Sequence, residues 1–342
     1  MENYGELNFY ISIGSVTSIF LLFGLNTTVI TYLAKGAEGI KYQANSMALI
    51  SNILGFILLL VITNYSTSLL LIGLSFLSMT VAEILGRRLY KTYFLIILCE
   101  RITQIGLAMI LYFVIGLEGI ILGYALGALF FSYKFFISLK RISLNINEVR
   151  QRFKFLMHSY ALNISQTLTL HADKLLIGPV FGFTMLGLYQ LGFQFLMLLS
   201  IVPSSLFQYL LPQYSGGNRN SNTIYIGLVV AALLVLISIV LMPIAISNLF
   251  PRYVEVVPTA QIMSIGIIPM TVNAILNSRL LAKEESRRVL ISALVYSISL
   301  LGLFYFLGTT MGLKGLGISL VVSLSFQSLI LIVFSKGSFR SL

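Results

Sequence analysis

Residues 173–215 read DKLLIGPVFGFTMLGLYQLGFQFLMLLSIVPSSLFQYLLPQYS. After Asp173 and Lys174 the stretch carries no further charge. Gly178, Gly182 and Gly187 space it, Tyr189 follows closely, and Pro212 marks its end. A helix of about 20 apolar residues crosses the hydrocarbon core of a bilayer. The stretch therefore holds the end of one crossing and all of the next. The rest of the chain has the same character. Of its 342 residues 58% are hydrophobic and 10% are charged, against about 25% charged in an average soluble domain. Mean hydropathy is +0.96. That much apolar surface cannot be hidden by a water-soluble fold of this size, which excludes a soluble enzyme and a disordered chain. A single cysteine, Cys99, excludes a disulfide scaffold and a cysteine metal cluster. An all-α, multi-pass integral membrane protein remains.

Walking the chain on the 20-residue criterion gives eleven transmembrane helices, at 8–34, 45–63, 66–86, 92–115, 117–139, 156–178, 184–211, 222–247, 255–282, 287–308 and 312–335. The first is no signal peptide, because Glu2 and Glu6 stand where a basic region would be. The 22 Lys and Arg against 11 Asp and Glu give a net charge of +11. Eighteen of the basic residues fall in alternate connections, such as Lys35 and Lys41, Arg87 to Lys91, and Arg279 to Arg288. Only Lys174, Arg252 and Lys314 fall on the opposite side, and Arg101 lies inside a span. By the positive-inside rule the N-terminus is outside and the C-terminus cytoplasmic. The excess charge is thus a topology signal, and no nucleic-acid partner is expected. The longest connection separates five spans from six: an N-terminal bundle at 1–139, a basic linker at 140–155, and a C-terminal bundle at 156–342. From Leu144 to Phe155 that linker reads either as a short helix on anionic headgroups or as a solvated connection.

The spaced glycines, Tyr189 and Pro212 of the opening stretch resemble the start of the second half of polysaccharide flippases. Tyr4-Gly5 and Gly24-Leu25-Asn26 resemble the second helix of that family, and Gly119 and Gly315-Leu316-Gly317 resemble its glycine-led spans. The family is part of the multidrug/oligosaccharidyl-lipid/polysaccharide flippase superfamily. The resemblance implies two six-helix bundles with both termini cytoplasmic. This chain departs from it with five spans in its first half and an external start. Both departures follow if the family's usual first helix is lacking.

A charge at mid-membrane costs several kcal/mol and needs a reason. Glu100 and Arg101, with Gln104 close by, lie near the middle of the fourth span, where both can face one broad cavity without pairing directly. One reading gives Arg101 a phosphate or pyrophosphate to hold, a task that suits its planar fork of donors. The other makes the pair structural. In the sixth span Asn163, Thr167, His171 and Lys174 recur on one face, flanked by Gln166, Thr169 and Asp173. They read either as a cavity wall or as groups solvated near the outer interface. In the first reading Asp173 is a cation or proton coupling site and Lys174 a phosphate or sugar contact. No catalytic, cofactor or metal motif appears.

The resemblance implies a flippase that carries a lipid-linked oligosaccharide or polysaccharide precursor by alternating access. Its partners would be a polyprenyl-phosphate- or pyrophosphate-linked glycan, membrane lipids, and glycosyltransferases of the same pathway. The competing readings are a multidrug/cation antiporter of the same superfamily, for which Glu100 is the only deep acid in the first bundle, and a glycan-assembly protein without transport activity.

Overall fold

The computed structural model describes the backbone of residues 1–141, 143, 145–215, 221–283 and 285–337. The side chains of residues 166, 212, 215, 221, 222, 249, 336 and 337 lie outside this description, as do Leu144, Arg219 and Arg340. The described chain is almost wholly helical and contains no strand. Among these residues seven helices are long and apolar enough to cross a bilayer, or nine if each of two bent pairs is one crossing. The bent pairs are Leu117–Phe130 with Tyr133–Arg141, at 50°, and Phe183–Leu199 with Ile201–Leu211, at 40°. Two helices need separate comment. Ser286–Gly337 runs for 52 residues, which at about 1.5 Å per residue exceeds twice the hydrocarbon thickness. It is broken at Gly312, where φ is 58° and ψ −136°. Phe153–Phe181 has the length, 29 residues, but its polar groups dilute its apolar character.

The helices pack into two compact units, Leu7–His171 and Met1–Glu6 with Ala172–Leu342. In the first, the helix Tyr65–Gly86 is the most enclosed. Asn64 caps its start by accepting a bond from the Thr67 N–H at 2.9 Å. Its buried residues include Ser66, Ser68, Gly73, Ser75 and Thr80. Small residues suit this place, because helices in lipid associate through close backbone approach and not through hydrophobic exclusion. The neighbouring helix Leu117–Phe130 carries Gly119, Gly123 and Gly127, whose faces lie against Leu111, Ala108 and Gln104 of Tyr90–Ile115. Phe76 stacks on Phe135 with ring centroids 4.0 Å apart.

The expected span 8–34 is two helices, Glu2–Leu22 and Leu25–Leu33. The break is at Phe23 and Gly24, both with positive φ (48° and 76°). A side chain at Gly24 would meet the Leu156 carbonyl and the Tyr160 nitrogen at 2.8 Å. Glycine is thus required there by backbone angle and by packing together.

At the end of this unit where basic residues gather, Glu83 accepts bonds from Lys41 Nζ and Arg87 Nε, each at 3.1 Å. Arg87 also reaches Glu38 at 2.8 Å. Partial burial opposes the Arg87 charge, but bonding to Glu83 and the field of Glu38 outweigh it and hold its pKa above the ordinary value. The basic linker is docked here too. Its short helix Asn147–Gln151 donates the Glu148 and Val149 N–H groups to Gln43 Oε1 at 2.9 and 3.4 Å. Val149 is buried, and Arg152 lies 4.7 Å over the Tyr32 ring. Lys140, Arg141, Arg150 and Lys154 stay exposed.

In the second unit, Gly5 packs on the Phe183 carbonyl and Gly187 on the Met1 carbonyl, so the starts of two helices touch backbone to backbone. An apolar cluster of Leu188, Leu191, Met242, Ile246, Val256 and Ala260 lies beneath that crossing. A polar seam joins Ile267–Ala282 to the last helix. There Asn273 donates to Gln327 Oε1 at 3.1 Å and accepts from Ser328 at 2.7 Å.

Candidate functional site

The polar groups singled out in the sequence fall into three places. On Tyr90–Ile115, helical residues four apart share a face, and Ile96, Glu100, Gln104 and Ala108 are its buried positions. The Glu100 side chain is wholly buried, and neither carboxylate oxygen has a hydrogen-bond partner. Arg101, one residue on, points the other way and its side chain is 61% exposed. Phe94, Leu98, Ile102 and Ile105 are the exposed apolar residues around it. Contrary to the expectation of two groups facing one cavity unpaired, Arg101 Nε lies 3.4 Å from Glu100 Oε2. Arg101 Nη1 donates to Gln104 Oε1 at 2.9 Å, and Gln104 Nε2 donates to the Tyr124 carbonyl at 3.2 Å. The guanidinium is thus held from below by its own helix, with contacts that use only part of its five donors.

The second place is the polar stripe of Phe153–Phe181 within the Leu7–His171 unit. Asn163 Nδ2 donates to Asn26 Oδ1 and to Thr27 Oγ1, both at 3.1 Å. Asn26 donates onward to Ser78 Oγ at 3.2 Å. This clasp sits just past the Gly24 break, and it gives Asn163 a packing role. Thr167 and Thr169 bond back to the carbonyls of Asn163 and Ser165 at 2.8 Å. His171 Nδ1 lies 3.1 Å from Ser12 Oγ. Gln166 lies on this helix, and its side chain is outside the described atoms.

The third place is in the other unit. Asp173 and Lys174 are 2% and 5% exposed, so they are enclosed by protein. Lys174 Nζ lies 3.1 Å from Asp173 Oδ1 and 3.3 Å from Oδ2. The Lys174 N–H donates to Oδ1 at 2.8 Å, and the Tyr189 hydroxyl donates to Oδ2 at 3.0 Å. Lys174 Nζ also sits 4.6 Å over the Phe193 ring. Tyr189 was noted in the sequence as part of a glycine-led pattern, and its contact with Asp173 was not foreseen. The signal was there in the spacing: Tyr189 sits about two turns after the Gly182 break between Phe153–Phe181 and Phe183–Leu199, and its hydroxyl reaches back to Asp173.

A cavity of about 900 Å³ opens in this unit, lined among others by Met1, Tyr4, Leu191, Phe195, Phe250 and Tyr253. None of the residues singled out as site candidates lines it. Among the described residues no three His, Cys, Asp or Glu side chains gather in a way that could hold a metal ion.

A family model described as "Polysaccharide biosynthesis protein" matches residues 48–251. Among solved structures, the chain is similar to an inward-facing multidrug resistance MATE family transporter of the MOP superfamily. The TM-score is 0.73 at 13% identity, over 100% of this chain and 95% of that one. It is also similar to the lipid II flippase MurJ in an inward closed conformation. There the TM-score is 0.66 at 14% identity, over 96% of this chain and 78% of that one. A MATE protein in the bent conformation gives 0.63 at 13% identity, over 98% and 84%. No curated protein sequence matches.

Proposed function

Since the chain belongs to the family of polysaccharide biosynthesis proteins and has the fold of membrane transporters, we propose that it is a flippase for a lipid-linked oligosaccharide or polysaccharide precursor. The likeness to a lipid II flippase supports that substrate class at the level of fold. The observation that carries the reading is Arg101. A guanidinium exposed on an apolar helix face is costly in a bilayer unless an anion meets it. The phosphate or pyrophosphate of a polyprenyl-linked glycan is such an anion, and it travels with a tail that belongs in hydrocarbon. Gln104 and Glu100 hold the fork in place, so less freedom is lost when the anion binds.

In this reading the chain crosses the membrane eleven times, in bundles of five and six, with its N-terminus outside. The break at Gly312 supports counting Ser286–Gly337 as two crossings. The cytoplasmic membrane and glycosyltransferases of the same pathway are the expected setting. The antiporter alternative rests on Glu100, whose oxygens lack hydrogen-bond partners. The Arg101 charge 3.4 Å away disfavours a cationic substrate there.

The test is complementation of a flippase-deficient host, reading surface glycan. Arg101→Ala is expected to reduce surface glycan at least tenfold at equal protein level, and Arg101→Lys to restore part of it. Full complementation by Arg101→Ala refutes the phosphate role.

A further inference from the structure

The Asp173 carboxylate presents about four lone-pair positions. Oδ1 receives the Lys174 N–H at 2.8 Å and the Lys174 ammonium at 3.1 Å. Oδ2 receives the same ammonium at 3.3 Å and the Tyr189 hydroxyl at 3.0 Å. Every position on the anion is in use, and its cation comes from the adjacent residue. The Phe193 face lies 4.6 Å from Nζ. Remove the ammonium in thought, and what is left is a buried carboxylate, a phenol oxygen and an aromatic face. A buried carboxylate does not stay ionised without a partner, so one left in this place takes up either a proton or a small cation.

We propose that the Lys174 ammonium is the permanent occupant of a monovalent-cation site built on Asp173 and Tyr189. Tethering gives this cation an effective concentration that a dissolved ion does not match. The wild-type site is therefore closed to sodium, and it opens when the ammonium is deleted. The proposal goes beyond the substrate reading and is tested without it, by cation binding alone.

The experiment uses the purified full chain in detergent micelles. Thermal unfolding is followed by circular dichroism, in sodium chloride against N-methylglucamine chloride at equal ionic strength. Wild type is expected to show no sodium-specific shift. Lys174→Met is expected to gain a saturable, sodium-specific rise in Tm of about 2–5 °C. The double variant Asp173→Asn/Lys174→Met is expected to lose that rise. A sodium-specific shift in wild type that Asp173→Asn removes overturns the proposal, and so does a folded Lys174→Met that ignores sodium. Should Lys174→Met not fold, Lys174→Gln is read in the same way. Radioactive sodium binding to wild type and Asp173→Asn then decides independently: Asp173-dependent binding to wild type refutes a closed site, and its absence supports one.

Discussion

Glu83→Ala strands a buried ammonium, and the structure sets the size of the effect. The side chains of Glu83 and Lys41 are 7% and 9% exposed and meet at 3.1 Å. Without Glu83, Lys41 keeps Glu38, which is 3.7 Å away and 57% exposed, and the Tyr42 ring, 4.8 Å from Nζ. Removing one partner of a buried pair costs about 3–5 kcal/mol. Lys41 can extend its stem toward water, which places the cost near the lower end, about 3 kcal/mol. Arg87, whose side chain is 33% exposed, loses its bond to Glu83 but keeps Glu38, and adds about 0–1 kcal/mol. Lys41→Met leaves Glu83 with Arg87, so it is the milder change, about 1–2 kcal/mol. The double variant removes the stranded charge and should lie close to Lys41→Met. Thermal unfolding in detergent measures this. At about 2–4 °C per kcal/mol, Glu83→Ala should lower Tm by about 6–16 °C. Adding Lys41→Met should recover part of that loss. A double variant no more stable than Glu83→Ala refutes the claim that a stranded ammonium causes the damage.

Gly24→Ala forces a left-handed backbone on a side-chain-bearing residue, at about 1–2 kcal/mol, and pushes a methyl into the Leu156 carbonyl. The expected loss is about 2–4 kcal/mol, and an unchanged Tm contradicts it. Asn163→Ala removes the two bonds its amide donates and a longer one it accepts from Thr27 at 3.5 Å, worth about 0.6 kcal/mol each, so Tm should fall by only a few degrees and complementation should persist. If surface glycan disappears while Tm falls no further than that, Asn163 contacts substrate instead of serving as a clasp.

The membrane character of the chain was legible in its sequence, because long apolar runs and scarce charge have one physical outcome. The first span was read as one helix because hydropathy does not register a backbone angle, and Phe23-Gly24 is apolar on both sides of the break. Glu83 stands at the end of an apolar run, and its partner Lys41 is 42 residues away, so nothing local in the sequence joins them. Lys41 and Arg87 read in the sequence as orientation signals, and the structure gives them a structural pairing as well. Glu100 and Arg101 were visible as charges inside a span. Their opposite burial follows from the 100° between adjacent helical residues and from which face Leu117–Phe130 covers, which composition alone does not state. Asp173 and Lys174 were seen as neighbours in sequence, but the hydroxyl that completes their site comes from the next helix.

The glycine stripe of Leu117–Phe130 has a consequence for how the chain enters the bilayer. That helix follows Tyr90–Ile115 after the single residue Gly116, so the two form a hairpin whose closure spans little chain and is entropically cheap. Alone, Tyr90–Ile115 would bring an ionisable carboxyl and an amide into hydrocarbon. Paired, it presents Gly127 to Gln104 and offers the Tyr124 carbonyl as a partner for that amide. The hairpin is therefore the natural unit of insertion: its second helix shields the polar face of the first during synthesis, before the chain that follows Phe130 is made. A bulky residue at Gly123 or Gly127 would then act first on biogenesis, lowering the yield of inserted protein before any effect on the finished fold is seen.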